Sequence, residues 1–512
     1  MKSIYRLLSI AAAAAACLTA CDPPADDPFS GGETPETPTR PSNPSETTGP
    51  TTQIRQADVF AQNALGIYYL WAKEIDSDLD QLSPSTCTDP VSVVRKIRYH
   101  VDNKEVDHWT VLTDDLKSMT NSVEGLGLTF GYDLQAGGIS NRTGEYFLIV
   151  SYVVKDGPAE KGGLKRGDII ITIDGNAITA SNIYDAFNKD KVTLGIAHYI
   201  ADQNQIGPVE KQVTLEAVDM WENPVLVDTT YEVQGKKIGY LVYNSFDIKS
   251  METLPQVFRE FKAKGVEELI LDLRYNGGGY VNTECELASL IAPYSSVAAG
   301  DVFQTEVYND LLTNAWKDED FNTYFSTTFE YQGGDYNISE DISDANPGIS
   351  KLYVIVTGSS ASASEGLIVG LLPYMNVTLI GTQTYGKYCA GYMMSPSSFK
   401  DIIPNFSYSQ IADWGIYVMV SKFADKNGNN PAMPDGIPVN IEAYDDPFDG
   451  YQLGDTGESM LKTALSAAGA PDTGTRAAHA SRPPFELEMI DHDVPRGVLI
   501  KTDLPGRVKA SL

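Results

Sequence analysis

An α/β multidomain protein is predicted by three changes of pattern along the 512-residue chain. Phe60, Ala64, Ile67 and Trp71 recur at the spacing of one helix face. Between Gly125 and about Ala217, short alternating apolar runs are separated by glycine-rich turns, the signature of a compact β-rich unit. From Lys237 to about Ile380, strand-like and helix-like segments alternate, the pattern that builds an α/β layer structure.

In chain order, residues 1–20 read as an export leader. Lys2 and Arg6 supply positive charge, Leu7 to Cys17 supply an apolar stretch too short to span a bilayer, and Leu18-Thr19-Ala20-Cys21 closes it. That closing tetrapeptide resembles a bacterial lipobox, which implies cleavage before Cys21 and lipidation of its thiol. The expectation is a cell-envelope protein held on a membrane by an N-terminal lipid anchor. Residues 21–51, rich in Pro, Thr, Asp, Gly and Ser, lack the large apolar side chains that folding requires and are expected to act as a disordered linker. Residues 52–118 are predicted as a small helical domain, with a second helix over Val91 to Val101, and residues 119–220 as the β-rich unit.

Residues 221–470 form the α/β region. Lys237 to Tyr243 reads as a strand, Leu254 to Lys264 as an amphipathic helix, and Leu269 to Leu273 as a buried strand that runs into Asn276-Gly277-Gly278-Gly279. Residues 294–350 show little periodicity and are assigned only as an insertion or cap. Leu352 to Val356 is a strand, Gly366 to Leu372 an apolar helix, and Val377 to Ile380 a second strand leading through Gly381 to Lys387. Residues 471–512 form a tail with one strand-like run, Arg496 to Ile500.

Composition narrows the function. A net charge of −31 argues against nucleic-acid binding, which needs clustered Lys and Arg to neutralise phosphates. Of the five cysteines, only Cys87, Cys285 and Cys389 fall in the folded body, where one pair would leave one thiol over. Neither they nor the histidines show zinc-type spacing, so no metal site is expected.

Ser360-Ala361-Ser362-Ala363-Ser364-Glu365, Thr384-Tyr385-Gly386-Lys387 and Leu271-Asp272-Leu273-Arg274-Tyr275-Asn276-Gly277-Gly278-Gly279, in this chain, resemble the S41 family of serine peptidases, the C-terminal processing or tail-specific proteases. The resemblance implies a β-α catalytic domain of the crotonase and Clp-protease type, with Ser362 as nucleophile and Lys387 as general base, and no cofactor. A lysine can serve as base only if burial keeps its amine neutral. The Ala363 N–H, next to the nucleophile, and a glycine amide of the triple-glycine turn, Gly278 being favoured, are the expected oxyanion donors. Ser359, Ser360 and Ser364 are alternative nucleophiles or caps, and Glu365 is expected to complement the helix N-terminus. Asp272 and Arg274 are expected to pair and fix the turn.

The β-rich unit resembles a PDZ domain, and Gly125-Leu126-Gly127-Leu128 resembles its carboxylate-receiving loop, followed by a strand edge that takes up an extended peptide. Asp107-His108-Trp109-Thr110 resembles a segment that often precedes that domain, with His108 read as structural. One position departs from the family: where many members carry a Gln four residues after the lysine, this chain has Gly391. Either another group such as Tyr388 then orients the amine, or activity is low. The reading is an extracytoplasmic endopeptidase acting on protein or peptide substrates. Its competitors are a peptide-binding scaffold that keeps the fold without turnover, and a ligand-recognition protein using residues 294–350.

Overall fold

The computed structural model describes residues 50–102, 104–139, 144–470, 482–490 and 499–501; Cys21 and most of the linker lie outside the described residues. Helix α1 (Thr52–Tyr68) starts at Thr51, whose hydroxyl accepts the Ile54 N–H at 3.2 Å, and α2 (Pro90–Ile97) starts at Asp89, whose carboxylate accepts the Ser92 N–H at 3.1 Å. Each cap satisfies an amide that helix geometry leaves without an intrahelical acceptor. The buried faces of both helices, including Phe60, Leu65, Val94 and Ile97, join one apolar core with Phe258, Leu271, Leu367 and Val418 of the α/β region. Strand β1 (Val111–Thr113) pairs with a strand of that region as well, so residues 52–118 share its core.

The β-rich unit contains β2 (Leu126–Thr129), β3 (Tyr132–Gly138), β4 (Tyr146–Val153), β5 (Ile169–Ile173), β6 (Lys191–Ala197), β7 (Lys211–Glu216) and β8 (Val218–Trp221). Strands β7, β6, β5, β4 and β3 lie side by side and antiparallel. Strand β2 stands apart from this sheet and pairs with β8.

The α/β region begins with β9 (Val225–Val233), β10 (Lys236–Tyr243), α3 (Ser250–Lys264) and β11 (Glu268–Asp272). It continues through β12 (Gly279–Tyr280), α4 (Val281–Ile291), β13 (Val302–Tyr308), β14 (Lys351–Val356), α5 (Ala363–Leu371) and β15 (Asn376–Gly381). Strands β16 (Cys389–Met394), β17 (Gly415–Ala424) and β18 (Ile441–Glu442) and helix α6 (Ser459–Ala467) complete it. One sheet has the order β9-β10-β11-β14-β15-β18, parallel except for the β9–β10 pair. Its interior strands read as continuous apolar runs because both faces are covered: Phe258 of α3 and Leu367 of α5 lie in one core, Met460 and Leu461 of α6 in another.

Two short strands, β19 (Glu488–Met489) and β20 (Leu499–Lys501), come from the tail. The second sheet has the order β12-β20-β16-β17-β13, with β1 also on β17. Residues 294–350, left without elements by the sequence, contain β13 and a hairpin of Thr328–Gly333 against Tyr336–Asp341. The hairpin's alternation is weak because polar side chains such as Glu330, Gln332 and Asn337 fill its outward positions.

Candidate active site

Strand β14 ends in a tight turn before α5, and the three serines of that turn are committed differently. Ser360 Oγ donates to the Leu273 carbonyl at 2.8 Å and accepts the Thr357 N–H at 2.9 Å. Ser364 Oγ donates to the Asn276 carbonyl at 2.9 Å. Both therefore hold the turn against the end of β11. Ser362 Oγ is buried and has no hydrogen-bond partner among the described residues. Its backbone has φ 63° and ψ −112°, a conformation that costs a non-glycine residue about 1–3 kcal/mol and clusters at functional sites. A strained strand-to-helix turn of this kind presents a hydroxyl at the start of a helix.

Glu365 joins this turn to the lysine segment. Its Oε2 accepts the N–H of Ser362 and the N–H of Lys387, each at 2.9 Å, and its Oε1 accepts the Gly386 N–H at 2.7 Å and the Thr384 hydroxyl at 2.6 Å. The backbone nitrogens of Ser362 and Lys387 thus lie within reach of a single oxygen atom. Burial raises the Glu365 pKa to about 7, against the hydrogen bonds that favour its charge. Gly386, at φ 100°, sits so close to Pro434 and Gly436 that a Cβ would touch their backbone. That contact, with the Ile437 N–H on Thr384 Oγ1 at 2.7 Å, is what the Pro434 to Val439 segment contributes.

Lys387 is fully buried. Burial lowers its pKa to about 8, opposed by the Cys389 sulfur, Asp107 and Glu365 nearby. Burial pushes the Cys389 thiol up, so it is neutral beside the amine. The Trp109 ring centroid lies 5.1 Å from Lys387 Nζ and that of Tyr417 5.2 Å, which makes two aromatic walls. Lys387 Nζ and the Tyr417 hydroxyl are 3.1 Å apart. The hydroxyl at this distance belongs to Tyr417 of β17, where the sequence points to Tyr388. The reason is at Gly391, where a Cβ would overlap the Tyr417 ring. The missing side chain leaves the volume that the ring fills.

Asp107-His108-Trp109-Thr110 acquires a role from this geometry. Asp107 accepts the N–H groups of Trp109 and Thr110 at 2.8 and 3.0 Å and the Tyr69 hydroxyl at 2.7 Å, and Thr110 Oγ1 accepts the Met419 N–H at 3.2 Å. These bonds fix the indole over the amine and lock it to the strand that carries Tyr417. His108 is half exposed and pairs with Glu105, away from the site.

The oxyanion donors are arranged unequally. The Ala363 N–H is at the first residue of α5, where helix geometry supplies no intrahelical acceptor. The Gly278 N–H donates to Asn276 Oδ1 at 2.8 Å, so its amide is turned toward the asparagine. Asn276 Nδ2 in turn donates to the Tyr243 carbonyl at 3.0 Å, which makes the triple-glycine turn a self-bonded unit.

Behind that turn lies a buried ion network. Arg274 pairs with Asp272 at 2.7 Å, as the sequence led us to expect, and also with Glu458 at 2.6 Å and Asp445 at 2.8 Å. Arg166, from the β-rich unit, reaches the same Asp445 at 2.6 Å and the Tyr275 hydroxyl at 2.5 Å. Gly125 to Leu128 runs into β2 and is laddered to β8, with Met220 opposite Gly127 and Asp219 opposite Leu128; Leu128 is exposed. Cys87, Cys285 and Cys389 are buried, free thiols.

Residues 237–443 match the model of peptidase family S41, and residues 149–196 match that of PDZ domains. The α/β region of this chain is thus similar to peptidase family S41. The carboxy-terminal processing protease CtpB of Bacillus subtilis (strain 168) is 25% identical over 309 residues, 59% of this chain and 52% of that protein. The chloroplastic C-terminal processing peptidase of Tetradesmus obliquus is 26% identical over 288 residues, 53% of each chain. The chain therefore spans about half the length of these curated S41 relatives. A crystal structure of a protein from Bacteroides fragilis NCTC 9343, described as an S41 protease, has the same fold, with a TM-score of 0.61 and 22% identity over 84% of this chain and 99% of that one.

The places of Trp109 and Tyr417 beside the amine, and the bracing role of Glu365, do not follow from the sequence. Tyr417 gives no local signal because its partner lies in another strand. The absent side chain at Gly391 was the one available clue that something else fills that space.

Proposed function

We propose that the chain is a serine endopeptidase in which Ser362 attacks a peptide carbonyl and Lys387 takes the hydroxyl proton and returns it to the leaving amine. The observation that carries this reading is the contrast within one turn: Ser360 and Ser364 hold backbone carbonyls, while Ser362 is strained, buried and braced by the same carboxylate as the main chain of Lys387, whose amine titrates near 8. An amine with that pKa is about one-tenth neutral at pH 7, enough to act as base. The Ala363 N–H supports the developing oxyanion. Gly278 joins it when Asn276 Oδ1 gives way to the more strongly charged acceptor.

Substrate is an extended or C-terminal protein segment, taken up by the PDZ region through strand addition, with Gly125 to Leu128 as the candidate end-binding loop. The leader and Cys21 support an extracytoplasmic, lipid-anchored location. Purified protein is expected to cleave an unfolded protein, and Ser362→Ala to abolish cleavage; turnover that survives the substitution would refute the assignment.

One observation favours a second reading, a scaffold that binds peptides without cutting them: Ser362 is wholly enclosed and the Gly278 amide is already satisfied. Binding of C-terminal peptides by wild-type protein with no cleavage over a wide pH range decides for the scaffold.

A further inference from the structure

The tail touches both places where an extended substrate would lie. Strand β19 pairs antiparallel with β3, Glu488 opposite Ala136 and Met489 opposite Gln135, and so occupies the outer edge of the PDZ-region sheet. Phe485 fixes this strand from its N-terminal side. Its ring lies 5.1 Å from Phe147, 5.5 Å from Phe448 and 5.8 Å from Tyr199.

Strand β20 then lies parallel between β12 and β16. Leu499 is opposite Gly279, the residue after Gly278, and Ile500 is opposite Tyr280 on one side and Gly391 on the other. Its two neighbours are thus the strand that leaves the triple-glycine turn and the strand that follows Lys387. Without β20, both would present unpaired edges across a gap one strand wide, the geometry that accepts an added chain.

The slot also has a side-chain pocket. Lys501 is nearly buried, its Nζ bonds Glu306 Oε2, and it lies 5.7 Å from the Tyr308 ring. Glu306 is held in place by the Tyr308 hydroxyl at 2.7 Å and by Ser421 Oγ at 3.0 Å. A carboxylate prepared in this way selects a cation, and an extended strand that carries a lysine supplies one.

We infer that the slot between β12 and β16 is the subsite for an extended peptide with a lysine opposite Glu306, and that residues 485–490 and 499–501 of this chain occupy it and the PDZ-region edge in cis. The tail is a tethered competitor, and substrate must displace it. This rests on the peptidase reading only for its consequence on turnover; occupancy of the slot is a binding claim that stands by itself. Because a competitor held in cis lowers the competent fraction, apparent affinity falls in proportion to that fraction.

The test uses a fluorescein-labelled peptide with the sequence of residues 485–503 and the Ser362→Ala protein, either full length or ending at residue 484. The peptide is expected to bind the shortened chain at least about tenfold more tightly than the full chain, for a tail docked in nine molecules of ten. The same peptide with alanine for Lys501 is expected to bind more weakly. In the full-length active protein, Lys501→Ala and Phe485→Ala are expected to raise kcat/KM on an unfolded protein, which decides the matter should the shortened chain not fold. Equal peptide binding by both lengths, or point variants that lower kcat/KM together with Tm, would overturn the inference and make the tail a structural strand. Peptide binding as expected with no cleavage by the wild type removes the peptidase reading alone. Normal cleavage with no peptide binding removes the tail reading alone.

Discussion

At the scale of single residues, the proposed site depends on how burial lowers the pKa of one amine and how that amine is aimed. Lys387 is enclosed by Trp109 and Tyr417, and the Tyr417 hydroxyl lies at bonding distance from its amine. Tyr417→Phe keeps the ring and deletes that contact, so kcat/KM is expected to fall about 10–100-fold, the cost of a misaligned proton transfer, with Tm nearly unchanged. Gly391→Gln, which restores the side chain common in the family, is expected to be worse, because it drives the Tyr417 ring out of its place. Circular dichroism and steady-state kinetics on the two variants separate loss of orientation from loss of packing. Glu365→Gln can accept on one side only, and is expected to loosen both the Ser362 and the Lys387 backbones and to lower kcat more than it raises KM.

At the scale of elements, the turn that follows β11 is held by charge. Burial pushes the Asp445 carboxyl up, but the Arg166 and Arg274 guanidiniums beside it overcome this and hold it well below the ordinary carboxylate range; Glu458 is lowered for the same reason. Both carboxylates therefore contribute stability that is present above their unfolded pKa values, near 4, and lost as pH falls through their folded ones. Arg274→Met would leave Asp272, Glu458 and Asp445 short of a buried partner, and is expected to cost about 3–5 kcal/mol in urea unfolding at pH 7, less at pH 4. A loss that does not shrink on acidification contradicts the ionic account.

The elements themselves were the most legible part of the chain. Strands β14 and β15 were predicted within one residue at each end, because a buried parallel strand is a continuous apolar run with turn residues at both sides. Helix α5 begins at Ala363 rather than at Gly366, since Ser362 itself is the N-cap and Glu365 supplies the bonds that carry the helix back into the turn. What the sequence could not convey was partnership between distant strands. Tyr417 on Lys387 and Trp109 above it are contacts across sheets, and no local period encodes them. The turn's composition points to the Gly278 amide, and composition does not say that Asn276 Oδ1 accepts the same hydrogen.

For the whole molecule, the N-terminal helices and the α/β region are bound through a shared interior, and the PDZ region is joined to the α/β region by buried polar contacts. Helices α1 and α2 close the same core as α3 and α5, and Arg166 carries the PDZ region's charge to Asp445 and Tyr275 beside the glycine turn. Urea unfolding followed by tryptophan fluorescence and by circular dichroism is expected to give coincident transitions for residues 50–512; separated transitions contradict a shared core. At the same scale, Cys21→Ser is expected to move the protein from the membrane fraction to the soluble one, and retention on membranes would count against a lipid anchor.

The most direct measurement is the pH dependence of labelling of Ser362 by a fluorophosphonate probe. The neutral fraction of Lys387 grows as pH rises through about 8, so the labelling rate is expected to climb with pH, reach half its plateau near 8, and lose both its height and its pH dependence in Lys387→Met. A rate that is flat with pH, or that persists in Lys387→Met, would contradict a buried neutral amine as the base.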